Sequence, residues 1–323
     1  MNQYISHLNR FKDARILVIG DVMLDKFIWG EVSRISPEAP VQIVNVQKET
    51  YAPGGAANVA ANLGGLTRHA SLMGIMGKDR SRDTLNALLE HRKVSTKHIL
   101  LDAKKPTVQK IRILSQNQQL LRIDYEKAEY LSKRDEQRMK KIFDRLVRNL
   151  DAVVVSDYAK GVISGTFMRH IISGTRKRGI PLIVDPKPRH QKFYGGATLV
   201  TPNHKEACSM AGVPLDNAHT LLGVGKMLMK EMDANILITR GDKGMSLFKK
   251  DGQIIHISTK AREVYDVTGA GDTVIAMLAL SLAVGASLEE AAEIANYAAG
   301  IVVGKIGTAT VTLEELRRSL EHA

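Results

Sequence analysis

Asp266-Val267-Thr268-Gly269-Ala270-Gly271-Asp272-Thr273 is followed directly by an apolar run, residues 274–280, with the composition of a buried helix. A loop that opens a helix leaves several backbone N–H groups without partners, and the helix dipole adds positive potential there, so an anion can bind. Gly269 and Gly271 have no Cβ and let the backbone approach that anion closely. Asp272 lies within reach of the same point and could accept a proton from an attacking hydroxyl group while the amides hold charge on a phosphoryl group.

A short motif of this kind has a plainer interpretation, a helix N-terminus with glycines in a turn and Asp272 as its cap. A second motif weighs against it. In Ala52-Pro53-Gly54-Gly55-Ala56-Ala57-Asn58-Val59-Ala60-Ala61-Asn62-Leu63-Gly64, two glycines precede a helix of small residues, with Asn58 in its early turns. Such a helix packs tightly and can bring the Gly54–Gly55 backbone against a ligand. The dinucleotide fingerprint Gly-x-Gly-x-x-Gly is absent from this stretch.

Both motifs resemble signatures of the ribokinase (PfkB) family of carbohydrate kinases, in the family's order, and the resemblance extends over residues 15–320. It implies that Asp272 is the catalytic base and that the amides of Gly269, Ala270 and Gly271 form an anion hole. It also implies that Gly54, Gly55 and Asn58 hold the sugar. The two signatures together are much more specific than either one alone.

Apolar runs that end in polar residues recur along the chain, at residues 15–21, 151–158, 180–187, 199–206 and 236–242. Buried strands joined by helices predict a parallel sheet with its site along one edge. We therefore predict an α/β fold, a ribokinase-like doubly wound, mostly parallel sheet flanked by helices. We expect residues 1–323 to form a single kinase domain with no nucleotidyltransferase domain.

Two segments, about residues 28–48 and 107–126, alternate as strands do and have no helix between their strands. They do not fit the βαβ pattern around them, so we predict a separate small β-sheet that covers the site as a lid. The family resemblance implies that this lid also forms the contact of a homodimer.

Several polar residues follow these strands or lie in the lid segments. Asp21 and Asp25 suit turns or sugar-hydroxyl acceptors, and the family uses the first of these positions for the sugar. Arg34, Lys160 and Lys187 are cations available for a phosphate already on the substrate, although a solvated surface charge is the alternative for each one.

By the same resemblance, the Asn-x-x-Glu element at residues 203–206 lies near the nucleotide phosphates, with Glu206 holding Mg²⁺ through water. The alternative for Glu206 is an acid at a helix N-terminus. The resemblance implies ATP and Mg²⁺ and leaves a monovalent cation open. The implied ATP-binding residues are Asn203, His204, Lys205, Glu206, Thr239, Gly241, Gly244 and Asn296.

Within the family, residues 34–40, 157–161 and 184–187 look most like the heptose 7-phosphate kinases of lipopolysaccharide precursor synthesis. Those enzymes phosphorylate the anomeric hydroxyl of D-glycero-β-D-manno-heptose 7-phosphate. The alternatives are another sugar or sugar-phosphate kinase of this family, or a non-catalytic sensor of sugar or nucleotide. Asp272 and both signatures argue against the sensor.

The amino-acid composition limits the classes of molecule that the protein could bind. A net charge of +12 suits phosphorylated small molecules, nucleic acid or an anionic membrane, but only 5% of the residues are aromatic, so no stacking platform for single strands is evident. The single cysteine, Cys208, excludes an internal disulfide and a cysteine-based zinc site. We find no signal peptide, no apolar run long enough for a bilayer and no Walker A sequence. We expect a cytoplasmic protein that binds neither nucleic acid nor membrane.

Overall fold

The computed structural model describes residues 2–116, 118–214, 220–261, 264–305, 307 and 309–321. Asn117, in the second predicted lid segment, lies outside the described residues. The strands are β1 (Arg15–Gly20), β2 (Val22–Ile35), β3 (Gln42–Gly55), β4 (His69–Gly77), β5 (Ser95–Asp102), β6 (Val108–Ser115), β7 (Gln118–Tyr125), β8 (Ala152–Ser156), β9 (Leu182–Asp185), β10 (Leu199–Val200), β11 (Asn235–Thr239), β12 (Met245–Phe248) and β13 (Ile254–Ile257). The helices are α1 (Asn2–Arg10), α2 (Ala56–Gly64), α3 (Arg80–His91), α4 (Lys133–Leu146), α5 (Gly165–Arg178), α6 (His204–Ala211), α7 (Thr220–Met232), α8 (Ala270–Ala283), α9 (Leu288–Val303) and α10 (Leu313–Glu321).

In the described residues the large sheet has nine strands in the order β13-β12-β11-β10-β9-β8-β1-β4-β5. The strands from β11 to β5 in this order are parallel, which confirms the predicted sheet. At one edge, β12 and β13 are antiparallel and were not predicted. Only residues 249–253 separate them, too few for the crossover that a parallel pair would need.

Helices cover both faces of this sheet, as the burial of β1 illustrates. Ile16 and Val18 belong to a core packed against α2, α8 and α9, whereas Leu17 and Ile19 belong to a core packed against α4, α5 and α7. Because successive side chains of a strand point to opposite faces, this division places β1 between two helical layers. A strand that is buried on both faces is apolar throughout, as its sequence indicated.

A separate four-stranded sheet has the order β3-β2-β6-β7. The two predicted lid segments therefore do pair, through parallel contacts between β2 and β6. The strands are longer than expected, because β2 begins at Val22 and β3 ends at Gly55. Asp25 consequently lies within a strand, opposite Ala52, and does not serve as a turn residue. Among the described helices, none has the length and apolar character needed to cross a membrane.

Candidate active site

The loop before α8 is held by Asp266 rather than by Asp272. Asp266 accepts hydrogen bonds from the N–H groups of Thr268 at 2.8 Å and Gly307 at 3.1 Å. Gly269 precedes the helix in a left-handed conformation, φ 81°, which glycine adopts without strain. Asp272 makes no capping bond, so the plainer interpretation of this residue as a cap is not what the structure shows.

The first turn of α8 retains backbone donors. The N–H of Ala270 donates weakly to the carbonyl oxygen of Val267 at 3.3 Å, while those of Gly271 and Asp272 have no acceptor among the described residues. The N–H groups at the N-terminus of a helix point outward along the helix axis, and the helix dipole adds positive potential there. The turn can therefore bind an anion beside the Asp272 carboxylate.

Asp272 accepts a hydrogen bond from Asn58 Nδ2 at 2.6 Å and a longer one from Tyr158 Oη at 3.4 Å. Burial raises the pKa of Asp272 to about 6, although these two bonds lower it and the nearby charge of Asp25 raises it. The charge of Asp272 and then burial raise the pKa of Tyr158 well above its ordinary value, so this hydroxyl remains a donor. The arrangement suits a general base that is ionised at neutral pH.

Asn58 is held firmly in α2. It is 4% exposed, and its carbonyl oxygen accepts a bond from Asn62 Nδ2 at 2.9 Å. Asn62 in turn accepts a bond from Thr273 Oγ1 at 3.0 Å, so α2 and α8 are joined at two successive levels. These bonds fix the donor that orients the Asp272 carboxylate.

The glycine pair before α2 is required by close approach. A Cβ at Gly55, where φ is 54°, would lie 2.6 Å from the carbonyl oxygen of Asp21. A Cβ at Gly54 would lie 2.7 Å from Asp25 Oδ2. The predicted sugar-binding residues Gly54, Gly55 and Asn58 therefore meet at the start of α2, beside Asp25.

The two predicted hydroxyl acceptors differ in what they contact. Asp21 is 2% exposed and accepts bonds from the N–H groups of Tyr158, Lys160 and Val162 at 2.8, 3.0 and 3.1 Å. Burial raises its pKa, and these N–H groups partly offset that effect. Asp21 thus orders the loop after β8. Asp25 instead accepts a bond from Arg112 Nη1 at 2.7 Å.

A buried network supports the same loop and was not found from sequence. Asp157 is fully buried and contacts His190 Nδ1 at 2.7 Å and Tyr194 Oη at 2.8 Å. His190 Nε2 lies 2.9 Å from Tyr130 Oη, and Tyr194 Oη accepts a bond from the N–H of Lys187 at 2.9 Å. The network connects the loop that carries Tyr158 to the one that carries Lys187.

On the side of the predicted nucleotide site, Lys187 Nζ lies 2.6 Å from Glu206 Oε1 and 5.0 Å from the centre of the Tyr158 ring. Glu206 and Asn203 form a capping box at the start of α6, so the helix-terminus interpretation of Glu206 holds alongside any metal role. Burial would lower the pKa of Lys187, but the bond to Glu206 raises it. The side chain therefore stays charged.

Several carboxylates lie close together in this region. Burial and then the charges of Asp272 and Glu206 raise the pKa of Asp185 well above its ordinary value. In the described part of the chain, no group of three acidic, histidine or cysteine side chains is placed to hold a metal directly. Acidic side chains that lie close together attract a cation, and Mg²⁺ usually keeps several waters and binds few protein groups directly.

The contacts of the remaining predicted residues do not test their roles, which stay predictions. Arg34 is exposed near the end of β2, and Lys160 Nζ pairs with Glu126 at 2.6 Å. Asn296 is 3% exposed and donates to the carbonyl oxygen of Ser258 at 2.7 Å. The other predicted nucleotide-binding residues lie at the start of α6, at the end of β11 and just after that strand: His204, Lys205, Thr239, Gly241 and Gly244.

The chain is similar to known proteins in sequence and in fold. The model of the pfkB family carbohydrate kinases matches residues 13–316. A protein named bifunctional protein HldE from Syntrophotalea carbinolica is 41% identical over 316 residues, covering 98% of this chain and 64% of the relative. The protein of that name from Coxiella burnetii is 45% identical over 316 residues, covering 98% and 65%. The chain thus spans less than two thirds of the length of these relatives.

A solved structure, Arabidopsis thaliana ribokinase complexed with ribose and ATP, has a TM-score of 0.78 at 22% identity, covering 96% of this chain and all of that one. The likeness confirms the predicted ribokinase-like fold.

Replacing the Asp272 carboxyl should stabilise the protein in a pH-dependent way. Its pKa is about 6 in the folded state against 3.8 ordinarily, so the folded state binds this proton more tightly. Stability is therefore lost as pH rises from about 4 to 6. We expect Asp272→Asn to raise the free energy of unfolding by about 1–2 kcal/mol at pH 7.5, an amount reduced for partial solvent access.

The measurement is urea denaturation of both proteins at pH 7.5 and pH 4.5. The gain should fall to about a third at the lower pH, because part of the titration between the two pKa values lies below pH 4.5. The same replacement at the exposed Asp242, Asp242→Asn, serves as the control. An equal gain at both pH values would show that the Asp272 carboxyl is not destabilised by its surroundings.

Proposed function

This chain belongs to the PfkB family of carbohydrate kinases, and we propose that it transfers the γ-phosphoryl group of ATP to the anomeric hydroxyl of D-glycero-β-D-manno-heptose 7-phosphate. The product would be the 1,7-bisphosphate, a precursor for lipopolysaccharide. The observation that supports the proposed chemistry is Asp272, a base with a pKa of about 6 beside helix N–H groups that have no acceptor among the described residues.

The transfer follows from this arrangement. Asp272 accepts the proton of the sugar hydroxyl, whose oxygen forms a bond to the γ-phosphorus as the bond from that phosphorus to the bridging oxygen of ADP breaks. The N–H groups of Gly271 and Asp272 donate to the phosphoryl oxygens as charge shifts between them. Asn58 and Tyr158 keep the carboxylate pointed at the hydroxyl.

The ion pair of Lys187 with Glu206 lies at the proposed nucleotide end of the site, so we propose Lys187 for a nucleotide phosphate and not for the substrate phosphate that the sequence suggested. Lys187 can leave Glu206 for a phosphate oxygen, because both partners are negatively charged acceptors. Glu206 and Asp185 would then hold Mg²⁺ through water. When bound, the ion neutralises charge between the β- and γ-phosphates.

The choice of sugar rests on the relatives and on the sequence. The relatives named HldE align along almost the whole chain at 41% and 45% identity. Residues 34–40, 157–161 and 184–187 resemble the heptose 7-phosphate kinases, and a net charge of +12 suits a substrate that already carries a phosphate.

We also propose a homodimer through the small sheet. On β7, Leu121, Ile123 and Tyr125 are 53%, 38% and 51% exposed, and they pair in register with Ile113, Ile111 and Gln109 of β6. Alternate residues of a strand share a face, so Leu121, Ile123 and Tyr125 form an exposed apolar strip on β7.

The Leu121→Asp variant should be monomeric in light scattering at concentrations where the parent chain is a dimer. Burying an unpaired charge in the contact would cost more than a small interface can supply. A dimer that persists in the variant, or a monomeric parent chain, would rule out this contact.

Asp272→Asn should reduce turnover by about 10²–10⁴-fold while ATP binding is retained, because the hydroxyl nucleophile loses its proton acceptor. Sugar-dependent ADP release measures turnover, and calorimetry with ATP measures binding. A folded variant with near-normal turnover would remove Asp272 from the mechanism.

Activity should also require Mg²⁺ and disappear with EDTA, because the metal neutralises the transferring phosphates. Titrating Mg²⁺ back into the chelated enzyme should restore ADP release. Full activity in metal-free buffer would contradict the proposed nucleotide site.

A further inference from the structure

A cation outside every sequence-based assignment lies beside the proposed sugar site. Arg112 of β6 donates through Nη1 to Asp25 Oδ1 at 2.7 Å, and its guanidinium lies 5.3 Å from the centre of the Phe27 ring. The side chains of Arg112 and Asp25 are 20% and 11% exposed. The ion pair is thus partly shielded from water, which strengthens it relative to a surface pair.

Arg112 belongs to the same site as the proposed base. Asp25 lies against Gly54, where a Cβ would come within 2.7 Å of Oδ2, and its charge contributes to the raised pKa of Asp272. Arg34, by contrast, comes nine positions after Asp25 on β2, about 30 Å along an extended strand.

The surface around Arg112 carries excess positive charge. Arg122 of β7 lies directly opposite Arg112 in the register of the two strands. Asp124 binds Arg122 through two bonds of 2.9 and 3.0 Å, and Lys110 Nζ lies 3.6 Å from Asp124. Like charges directly opposite one another on a sheet are destabilising, and an anion between them relieves the repulsion.

We propose that Arg112 recognises the phosphate already present on a sugar-phosphate substrate, and that its ion pair with Asp25 couples this recognition to that of the sugar hydroxyls. The inference rests on the proposed sugar-kinase function. A phosphate dianion accepts two parallel bonds from a guanidinium and is a stronger competitor than a single carboxylate oxygen. Once Arg112 turns to the phosphate, Asp25 is free to accept a sugar hydroxyl.

The coupling explains how the site would reject a free sugar. Without a phosphate, Arg112 stays on Asp25, and a sugar hydroxyl must compete with a partly buried ion pair for the same carboxylate. The phosphate thus contributes its own contacts and also releases the acceptor that orients the sugar.

The experiment compares kcat/KM for heptose 7-phosphate and free heptose in the parent chain, Arg112→Ala, Arg112→Lys and Arg34→Ala, which removes the competing candidate that the sequence suggested for this phosphate. Arg112→Ala should lose about a hundredfold on the 7-phosphate, the worth of charge-assisted hydrogen bonds to one group, and gain up to about tenfold on the free sugar, because Asp25 is released. Guanidinium ion added to Arg112→Ala should restore part of the lost activity. Arg112→Lys, which keeps the charge without the planar fork, should lose about tenfold, and Arg34→Ala should keep the parent ratio.

Binding of inorganic phosphate gives a readout apart from turnover. Calorimetry should show tighter binding to Asp25→Asn than to the parent chain, because the competing carboxylate is gone, and the double variant with Arg112→Ala should lose that gain. If circular dichroism shows that Arg112→Ala is unfolded, the kinetics of Arg112→Lys and the phosphate titration of Asp25→Asn test the proposal instead.

The proposal is overturned if the parent chain prefers the 7-phosphate and the Arg112 variants keep that preference. It is also overturned if Asp25→Asn leaves the affinity for inorganic phosphate unchanged. Loss of the preference in Arg34→Ala instead would assign the phosphate to that residue. A parent chain that lacks sugar kinase activity, or prefers the free sugar, would overturn the proposed function itself and this inference with it.

Discussion

The hydrogen bond from Asn58 to Asp272 joins two segments that are 214 residues apart in the chain, and the rest of the site is arranged around it. It forms only because α2 and α8 approach closely, which the small residues of α2 allow. All nine residues of α2 are buried, five of them alanine or glycine. The second bond, between Thr273 and Asn62, fixes the same two helices one turn further along. Assembly of the site therefore requires that both halves of the large sheet have folded.

The second constraint is electrostatic. Asp272, Asp185 and Glu206 place carboxylates near one another, and the single bond between Lys187 and Glu206 compensates only part of their charge. Burial is the main cause of the raised pKa values of Asp272 and Asp185, and nearby carboxylates raise both further. Repulsion among these carboxylates is unfavourable when no ligand is bound. It suits a site that binds a metal ion, whose positive charge offsets the carboxylates, and a phosphoryl group, which accepts hydrogen bonds from the N–H groups at the start of α8. The network of Asp157, His190 and Tyr194 holds the two loops in place against this repulsion.

The sequence alone identified those site residues whose type is required for one clear structural reason. Gly54 and Gly55 are required by close approach and Gly269 by a left-handed backbone, so their motifs could be identified directly. The parallel sheet was also predictable, because its strands are apolar throughout and end in polar residues. The pairing of strands that are distant in the chain could not be predicted. The contact of Arg112 with Asp25 depends on how β2 pairs with β6, 87 residues away, and no local pattern encodes that pairing. The partners of His190 and Lys187 depend in the same way on the paths of two loops.

The identity of the phosphorylated atom tests the central claim most directly. We would incubate the protein with ATP, Mg²⁺ and D-glycero-β-D-manno-heptose 7-phosphate and follow the products by phosphorus NMR. The account predicts a new phosphorus resonance coupled to the anomeric proton, formed in step with ADP while the 7-phosphate signal is kept. A phosphorus bound to any other carbon, or ATP that remains intact beside an unchanged sugar, would contradict it.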